Sequence, residues 1–464
     1  MIIIQLLIFL VQFFLFTLNP INNFDRFTIL ASSLLTLASF IISILVRNKT
    51  GIKNNNFSII LFFFAMSFII SFQIPLEIAF DNTILLQYRS IYDIFVVNKM
   101  VCFSALALDL FIIGVTIGYI KNRDKAVKTQ VLITRKFNVK PLYVVIVSCF
   151  VMFVFNINSS YIDGGHGTVR FEGIGFSFYA LFSRLSIVYI SMVIYNNQDS
   201  LKKTRTLKDF IGVFSKSFLA FLLITVIIFF LAHNRVFVIL TLTPFLFAFF
   251  VFSKKRIKTI VVVGIFVFLT VFATLFKLYG INNILDSGLT IDNNYVISKS
   301  YFPFTAELAN SVYAQSILFS QWYQHDFLMY GYSFFIGILR IVPGLAGFIS
   351  LDPAVYDSAV IATRISSASY GVGTTALGDT LVNLGFLGSL FALGFLGFLF
   401  AKSEINIYKN YVKINTYIIY FSITSFVLFI PRASLNDLIA SIFFNLIVVQ
   451  IYPYLVRMKI SNIK

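Results

Sequence analysis

Long apolar runs leave this chain few ways to fold. Stretches of about 16–21 apolar residues alternate with shorter polar connectors along most of the sequence. A hydrocarbon core about 30 Å thick takes about 20 apolar residues per crossing helix. In lipid the backbone N–H and C=O groups must be satisfied within the protein, so only helices and closed barrels cross. Residues 57–72 do not alternate in polarity as barrel strands would, so the crossings read as helices. The composition agrees: 59% of residues are hydrophobic and 12% charged, where soluble domains carry about 25% charged residues.

Twelve spans are expected: 2–18, 27–46, 57–72, 100–120, 141–157, 176–196, 217–232, 236–252, 259–276, 384–401, 414–430 and 438–455. The first has no basic segment before it and no small-residue cleavage site before Asn19-Pro20, so it reads as a helix rather than a signal peptide. The fold class is therefore an all-α polytopic membrane protein. Three regions follow: a nine-span bundle over 1–276, a large loop over 277–383, and three spans with a tail over 384–464.

Charge assigns the sides. The even-numbered connectors and the tail carry 25 Lys and Arg against four acids, and the odd-numbered connectors carry ten bases against fourteen acids. Basic connectors stay in the cytoplasm, so both termini are expected inside and the 277–383 loop outside. The net charge of +17 then reflects loops facing an anionic leaflet, and no nucleic-acid partner is implied.

A connector longer than about 15 residues is uncommon and usually functional. The 277–383 loop holds His325, Glu307, Arg340, Arg364, Asp379 and the single Trp322. Within it, 305–322 reads as a helix lying on the membrane. Residues 333–350 read as a helix at or dipping into the outer interface, since Arg340 and Pro343 argue against a thirteenth span. Outside the loop, the glycine-rich turn 158–175 carries His166, Arg170 and Glu172, and His233-Asn234-Arg235 forms the whole turn between two short spans. Arg432, in another outer turn, is expected to anchor to headgroups. Two charges lie within spans at matching depth, Asp109 and Arg184, and are expected to pair, because unpaired charges in lipid are costly. Cys102 and Cys149 read as buried free thiols.

Outward arginines around a membrane cavity suit a polyanionic, lipid-linked ligand, because guanidinium keeps its charge and grips phosphate in pairs of hydrogen bonds. The candidates are Arg170, Arg235, Arg340 and Arg364. An acceptor hydroxyl needs a general base, for which Glu172, His233, Glu307, His325 and Asp379 are available. No phosphate-binding loop of the G-x-x-x-x-G-K-[ST] type occurs. Neither does H-E-x-x-H or D-x-D, so no metal site is expected.

Three segments carry a resemblance: HNRVFVILTLTPFLF (233–247), GYSFFIGILRIVPG (331–344) and LGDTLVNLGFLGSLFALGFLG (377–397). With the span count and the long outer loop, the chain resembles the bacterial oligosaccharide repeat-unit polymerases, the Wzy-type O-antigen and capsule polymerases. Members more often have Gly before the first Arg and Glu where Asp379 stands. The resemblance implies a GT-C-like glycosyltransferase fold in the cytoplasmic (inner) membrane. The substrates would be undecaprenyl-diphosphate-linked oligosaccharides, joined without cofactor or metal. Arg235 and Arg340 would bind the diphosphate, supported by Arg170 and Arg364. Glu172, His233 or Asp379 would activate the acceptor, and Asn234, His325 and Glu307 would line the substrate site. A chain-length regulator and a flippase of the same pathway would be partners. An O-antigen ligase and a lipid-linked oligosaccharide flippase are the alternatives.

Overall fold

The structure is a computed structural model that describes residues 1–19, 24–50, 58–81, 94–123, 136–157, 173–201, 206–232, 234–252, 264, 300–339, 341, 356–366, 372–408 and 412–456. Among them there are helices and no strands. Inner and outer refer to the sides that the charge pattern assigns. The first half of the chain supplies α1 (Ile2–Leu18), α2 (Arg26–Asn48), α3 (Ile59–Phe80), α4 (Ile94–Arg123), α5 (Lys140–Phe155) and α6 (Gly173–Asn196). Two short inner helices follow, α7 (Gln198–Leu201) and α8 (Leu207–Ile211), then α9 (Lys216–Leu231) and α10 (Arg235–Phe252). The outer loop holds α11 (Pro303–Ala309), α12 (Val312–His325), α13 (Tyr332–Leu339) and α14 (Ser358–Ser366). The chain returns through α15 (Ala376–Ile407), α16 (Ile414–Phe426), a 3-10 turn at Ile430–Arg432, and α17 (Leu435–Leu455).

Six of these helices are long and apolar enough to cross a bilayer: α2, α3, α4, α6, α15 and α17. Shorter apolar helices stand at α1, α5, α9 and α10. Every expected span falls on a helix except 259–276, which lies outside the described residues apart from Gly264. The protein is thus an all-helical membrane protein.

Helix α4 is the axis, with 89% of its apolar window buried. It packs on α1, α2, α3, α12 and, most extensively, α15. Small residues make that last contact possible. A Cβ placed on Gly114 would stand 1.9 Å from the Gly394 carbonyl oxygen, and one on Gly397 would stand 2.0 Å from that of Phe111. Gly118 faces Ala401 in the same seam. Lipid tails are as apolar as leucine, so helices associate in a bilayer through close packing at such small residues. A second group of helices, α5, α6, α9, α10, α16 and α17, is held together by α5–α6, α6–α16, α9–α10 and α10–α16 contacts and meets the axis where α16 and α17 pack on α15.

The inner end is closed by an ion pair that the sequence placed in cytoplasmic connectors. Arg47 ends α2, and Glu404 lies in the last turns of α15. Arg47 Nε and Nη2 donate to Glu404 Oε1 at 2.9 and 2.6 Å, and Ser58 donates to Oε2 at 2.7 Å. Both charged residues are buried. Removing one member of a buried pair leaves the other uncompensated.

Residues 305–322, expected as one helix lying on the membrane, divide between α11 and α12, and α12 is packed against the bundle. It is inserted against α3, α4, α14 and α15. The reason is Gln315, which is buried and donates to Ser104 of α4 at 2.5 Å while accepting from Ser71 of α3 at 3.4 Å. The polar residue that interrupts the apolar face is the one that pins the helix.

Two outcomes test this packing. Gly397→Ala drives a methyl into the Phe111 carbonyl and is expected to destabilise the protein by about 1–3 kcal/mol, the usual range for overpacking. The check is the fraction of monodisperse protein after a heat series. Glu404→Gln is expected to cost about 3–5 kcal/mol, while the joint replacement Arg47→Met with Glu404→Met regains most of it. Additive losses in the double variant would show that the two side chains act separately.

Candidate functional site

The outer loop is built onto a break in α15. Gly385 has φ +68° and ψ −176°, a backbone region that glycine enters readily and other residues rarely do. The break deprives the carbonyls of Val382 and Asn383 of their helical partners four residues on. The loop takes both: Met329 N–H donates to Val382 O and Gly331 N–H to Asn383 O, each at 2.7 Å. Around this junction the loop has its own small core of Leu318, Met329, Ile336, Tyr356, Ile361 and Val382. The outer piece, 376–384, therefore belongs to the loop's packing, and the inner piece continues as the span expected from 384.

Asp379 sits in the first turn of that outer piece, wholly buried. A buried carboxylate is tolerated only where donors surround it. Ser358 of α14 donates to Oδ1 at 2.7 Å, and Asn383 Nδ2 to the same oxygen at 3.2 Å. Ser434 donates to Oδ2 at 2.8 Å, and the Leu435 N–H at 3.3 Å. Asn383 in turn accepts from Ser333 of α13 at 2.8 Å. One carboxylate thus joins α13, α14, α15 and the start of α17. A general base must aim a lone pair at its substrate. In this arrangement all four donors are protein groups, which gives Asp379 the part of a clamp.

The expected pair between Asp109 and Arg184 does not form. Asp109 on α4 lies beside Gln12 and Ser39 of α1 and α2. Arg184 is on α6, which packs on α5, α16 and α17. Equal depth along two helices does not make them neighbours. Arg184 Nη1 donates instead to the carbonyl of Ile341 at 2.7 Å, and its guanidinium lies 5.5 Å from the Phe444 ring centroid. Arg184 is eleven residues below Gly173, about 16 Å along the helix at 1.5 Å per residue. Ile341 therefore reaches well into the bundle. Helix α13 leads there along α17, with Gly337 against Asn436. This agrees with a loop that dips inward at 333–341; residues 342–350 lie outside the described residues.

Arg170, Glu172, His233 and Arg340 lie outside the described residues, as does His166. Arg235 is the first residue of α10 and Glu307 lies in α11. Asn234 is buried, and its Oδ1 accepts from the Phe237 N–H at 3.4 Å, capping α10. His325 ends α12 and is exposed. Arg364 is exposed in the last turn of α14, on the same short helix as Ser358. Arg432, expected as a headgroup anchor, is half-buried in the 3-10 turn, which packs on α3 and α15. Cys102 and Cys149 are buried and unbridged.

Two outer-side residues escaped the sequence reading. Arg184 was assigned to an ion pair, although it meets the residue next to Arg340. Glu77 lies beyond the span expected to end at 72, because α3 continues through Pro75 to Phe80. Its Oε1 accepts from Gln73 at 3.0 Å and Ser300 at 2.8 Å, while Oε2 is buried without a hydrogen-bond partner. Thr305 of α11 donates to Gln73 at 2.6 Å, tying this carboxylate to the loop. The signal was present in the i, i+4 spacing of Gln73 and Glu77, one helical turn apart on one face.

No protein-family model matches the chain, and no curated protein or solved structure matches it either. The site must therefore be read from its own residues. The outer side carries three separate features: a loop clamped at Asp379, a guanidinium fixed below the outer surface at Arg184, and a carboxylate with an uncommitted oxygen at Glu77.

Asp379→Ala is expected to release α13 and α14 while leaving the membrane helices folded. Hydrogen exchange should rise at least tenfold over 331–339 and 358–366 and change little over 96–122. Uniform exchange along the chain would show that Asp379 does not act locally.

Proposed function

We propose that this chain is a membrane glycosyltransferase that polymerises undecaprenyl-diphosphate-linked oligosaccharide repeat units on the outer side of the cytoplasmic membrane. The product would be O-antigen or capsular polysaccharide. The observation that carries this reading is the descent of the loop to Ile341, where Arg184 holds it next in sequence to Arg340. A diphosphate on a lipid carrier sits at the level of the headgroups, with its lipid in the bilayer. A loop that carries arginines down along the bundle is suited to meet it there. Support also comes from the resemblance of 233–247, 331–344 and 377–397 to the repeat-unit polymerases, and from the charge asymmetry, which favours an outward loop. In this reading the chain has twelve spans in a GT-C-like arrangement, with both termini cytoplasmic.

The chemistry is a displacement at the sugar carbon bonded to the diphosphate. The acceptor hydroxyl of the next repeat unit forms the new C–O bond, the bond to the diphosphate oxygen breaks, and undecaprenyl diphosphate leaves. Arg235 and Arg340 neutralise the charge growing on the leaving diphosphate, a task for preorganised cations. Arg170, Arg184 and Arg364 assist. The acceptor proton passes to a carboxylate or imidazole, for which Glu77 joins Glu172 and His233. Asp379 serves by holding the loop in place. A flippase and a chain-length regulator of the same pathway are the partners of such an enzyme.

Deleting the gene and resolving the surface glycan by gel electrophoresis tests the reading. Single repeat units on a normal carrier are expected. Long lipid-linked polymer that never reaches the surface would point to a ligase, and units trapped inside would point to a flippase. In the complemented strain, Arg235→Ala and Arg340→Ala are each expected to abolish polymer while membrane insertion stays normal. Wild-type polymer lengths in both would remove the phosphate-binding assignment.

A further inference from the structure

Helices α1, α2 and α4 meet along a polar seam that the outer site does not use. Its residues recur every three, four or seven positions: Gln5 and Gln12 on α1, Ser32, Thr36 and Ser39 on α2, and Asp109 on α4. Each has 0% exposure. Asp109 stands fifteen residues after Ile94 in α4, about 22 Å along the helix and so near the middle of the bilayer.

The seam has more acceptors than donors. Gln12 Nε2 directs its hydrogens to Ser32 O at 2.9 Å and Thr36 Oγ1 at 3.1 Å. Gln5 Nε2 donates to Ser39 O at 3.1 Å. Gln12 Oε1, Ser39 Oγ and both oxygens of Asp109 are left without a hydrogen-bond partner, and the Asp109 carboxyl lies beside the Gln12 and Ser39 side chains. Among the described residues no other charge faces it. Helix α1 has no charged side chain, α2 has none between Arg26 and Arg47, and α15 has none between Asp379 and Lys402. Helix α3 offers only Glu77 at its outer end, and α12 only His325 and two tyrosines. On α4 itself the nearest titratable groups are Cys102, Lys99 and Tyr119, and the Lys99 ammonium is bound to the carbonyls of Phe16 and Thr17.

An ionisable residue in mid-membrane marks an ion or proton site by default, since burying it without function is costly. We propose that Asp109, Ser39 and Gln12 form an intramembrane site for one monovalent cation, a proton or a sodium ion. One carboxylate balances one positive charge, and carboxylate, amide carbonyl and hydroxyl oxygens are the ligands that hard cations take. A proton on Asp109 would donate to Gln12 Oε1 while the Ser39 hydroxyl donates to the other carboxyl oxygen. A sodium ion would take the same oxygens directly. The site stands independently of the polymerase reading.

The test uses the purified full-length chain in detergent. Tm is measured in NaCl against choline chloride at equal ionic strength, and then across pH in choline. Sodium occupancy is expected to raise the wild-type Tm by about 2–5 °C at saturation, with no such rise in Asp109→Asn. Proton occupancy is expected to leave Tm insensitive to sodium and to raise it as pH falls, relative to Asp109→Asn. It also predicts an infrared carbonyl band of a protonated carboxyl that Asp109→Asn lacks. Ser39→Ala and Gln12→Leu are expected to shift the midpoint of whichever response is seen at least threefold, which covers the case of an unfolded Asp109→Asn. Identical sodium and pH responses in wild type and variants, with no carboxyl band, would overturn the proposal.

Discussion

The rest of the structure depends on two helices touching backbone to backbone. Where Gly114 meets Gly394 and Gly397 meets Phe111, no side chain separates α4 from α15. The contact fixes the height and rotation of the inner part of α15. The break at Gly385 is then held at one level of the bundle, and the two carbonyls it uncovers lie at a defined place. The loop docks there through Met329 and Gly331. The outer site is thus positioned by small residues far below it.

Polar groups inside this bundle are settled in three different ways. Arg47 and Glu404 neutralise each other in a geometry that satisfies both. Asp379 collects hydroxyl and amide donors until its charge is dispersed over four neighbours. Arg184 rests on a carbonyl and an aromatic face, whose negative quadrupole attracts a cation. Each solution ties segments distant in sequence: α2 to α15, the loop to α17, α6 to the loop. In lipid, where apolar burial discriminates little between helix partners, such ties specify which helices meet.

Much of the architecture was legible in the sequence, because length and apolarity are local properties. The helices lie where the apolar runs are, and the spacing that put Asp109 and Arg184 inside spans was right. What failed was neighbourhood. Depth follows from a rise per residue, but which helix a side chain faces depends on the whole packing, so the inferred ion pair joined helices from different groups. Boundaries failed for a related reason. Arg47, Glu77 and Glu404 were read as connector residues because a charge ends an apolar run, whereas a helix continues through a charge whose partners are inside. Gln315 interrupts the apolar face of its helix, and it is the contact that draws α12 into the bundle. The clamp at Asp379 could not be foreseen, since Ser358 and Ser434 have nothing in sequence to mark them.

Ser434 carries one last consequence. Its hydroxyl oxygen accepts the Asn436 N–H that opens α17, and its hydrogen goes to Asp379. The first turn of a membrane helix and a loop clamp 55 residues earlier in the chain therefore share a single atom. During synthesis the loop emerges first, while its carboxylate still lacks two of its four donors. The clamp at Asp379 is therefore complete only once the beginning of α17 has been made, after every residue of the loop it holds.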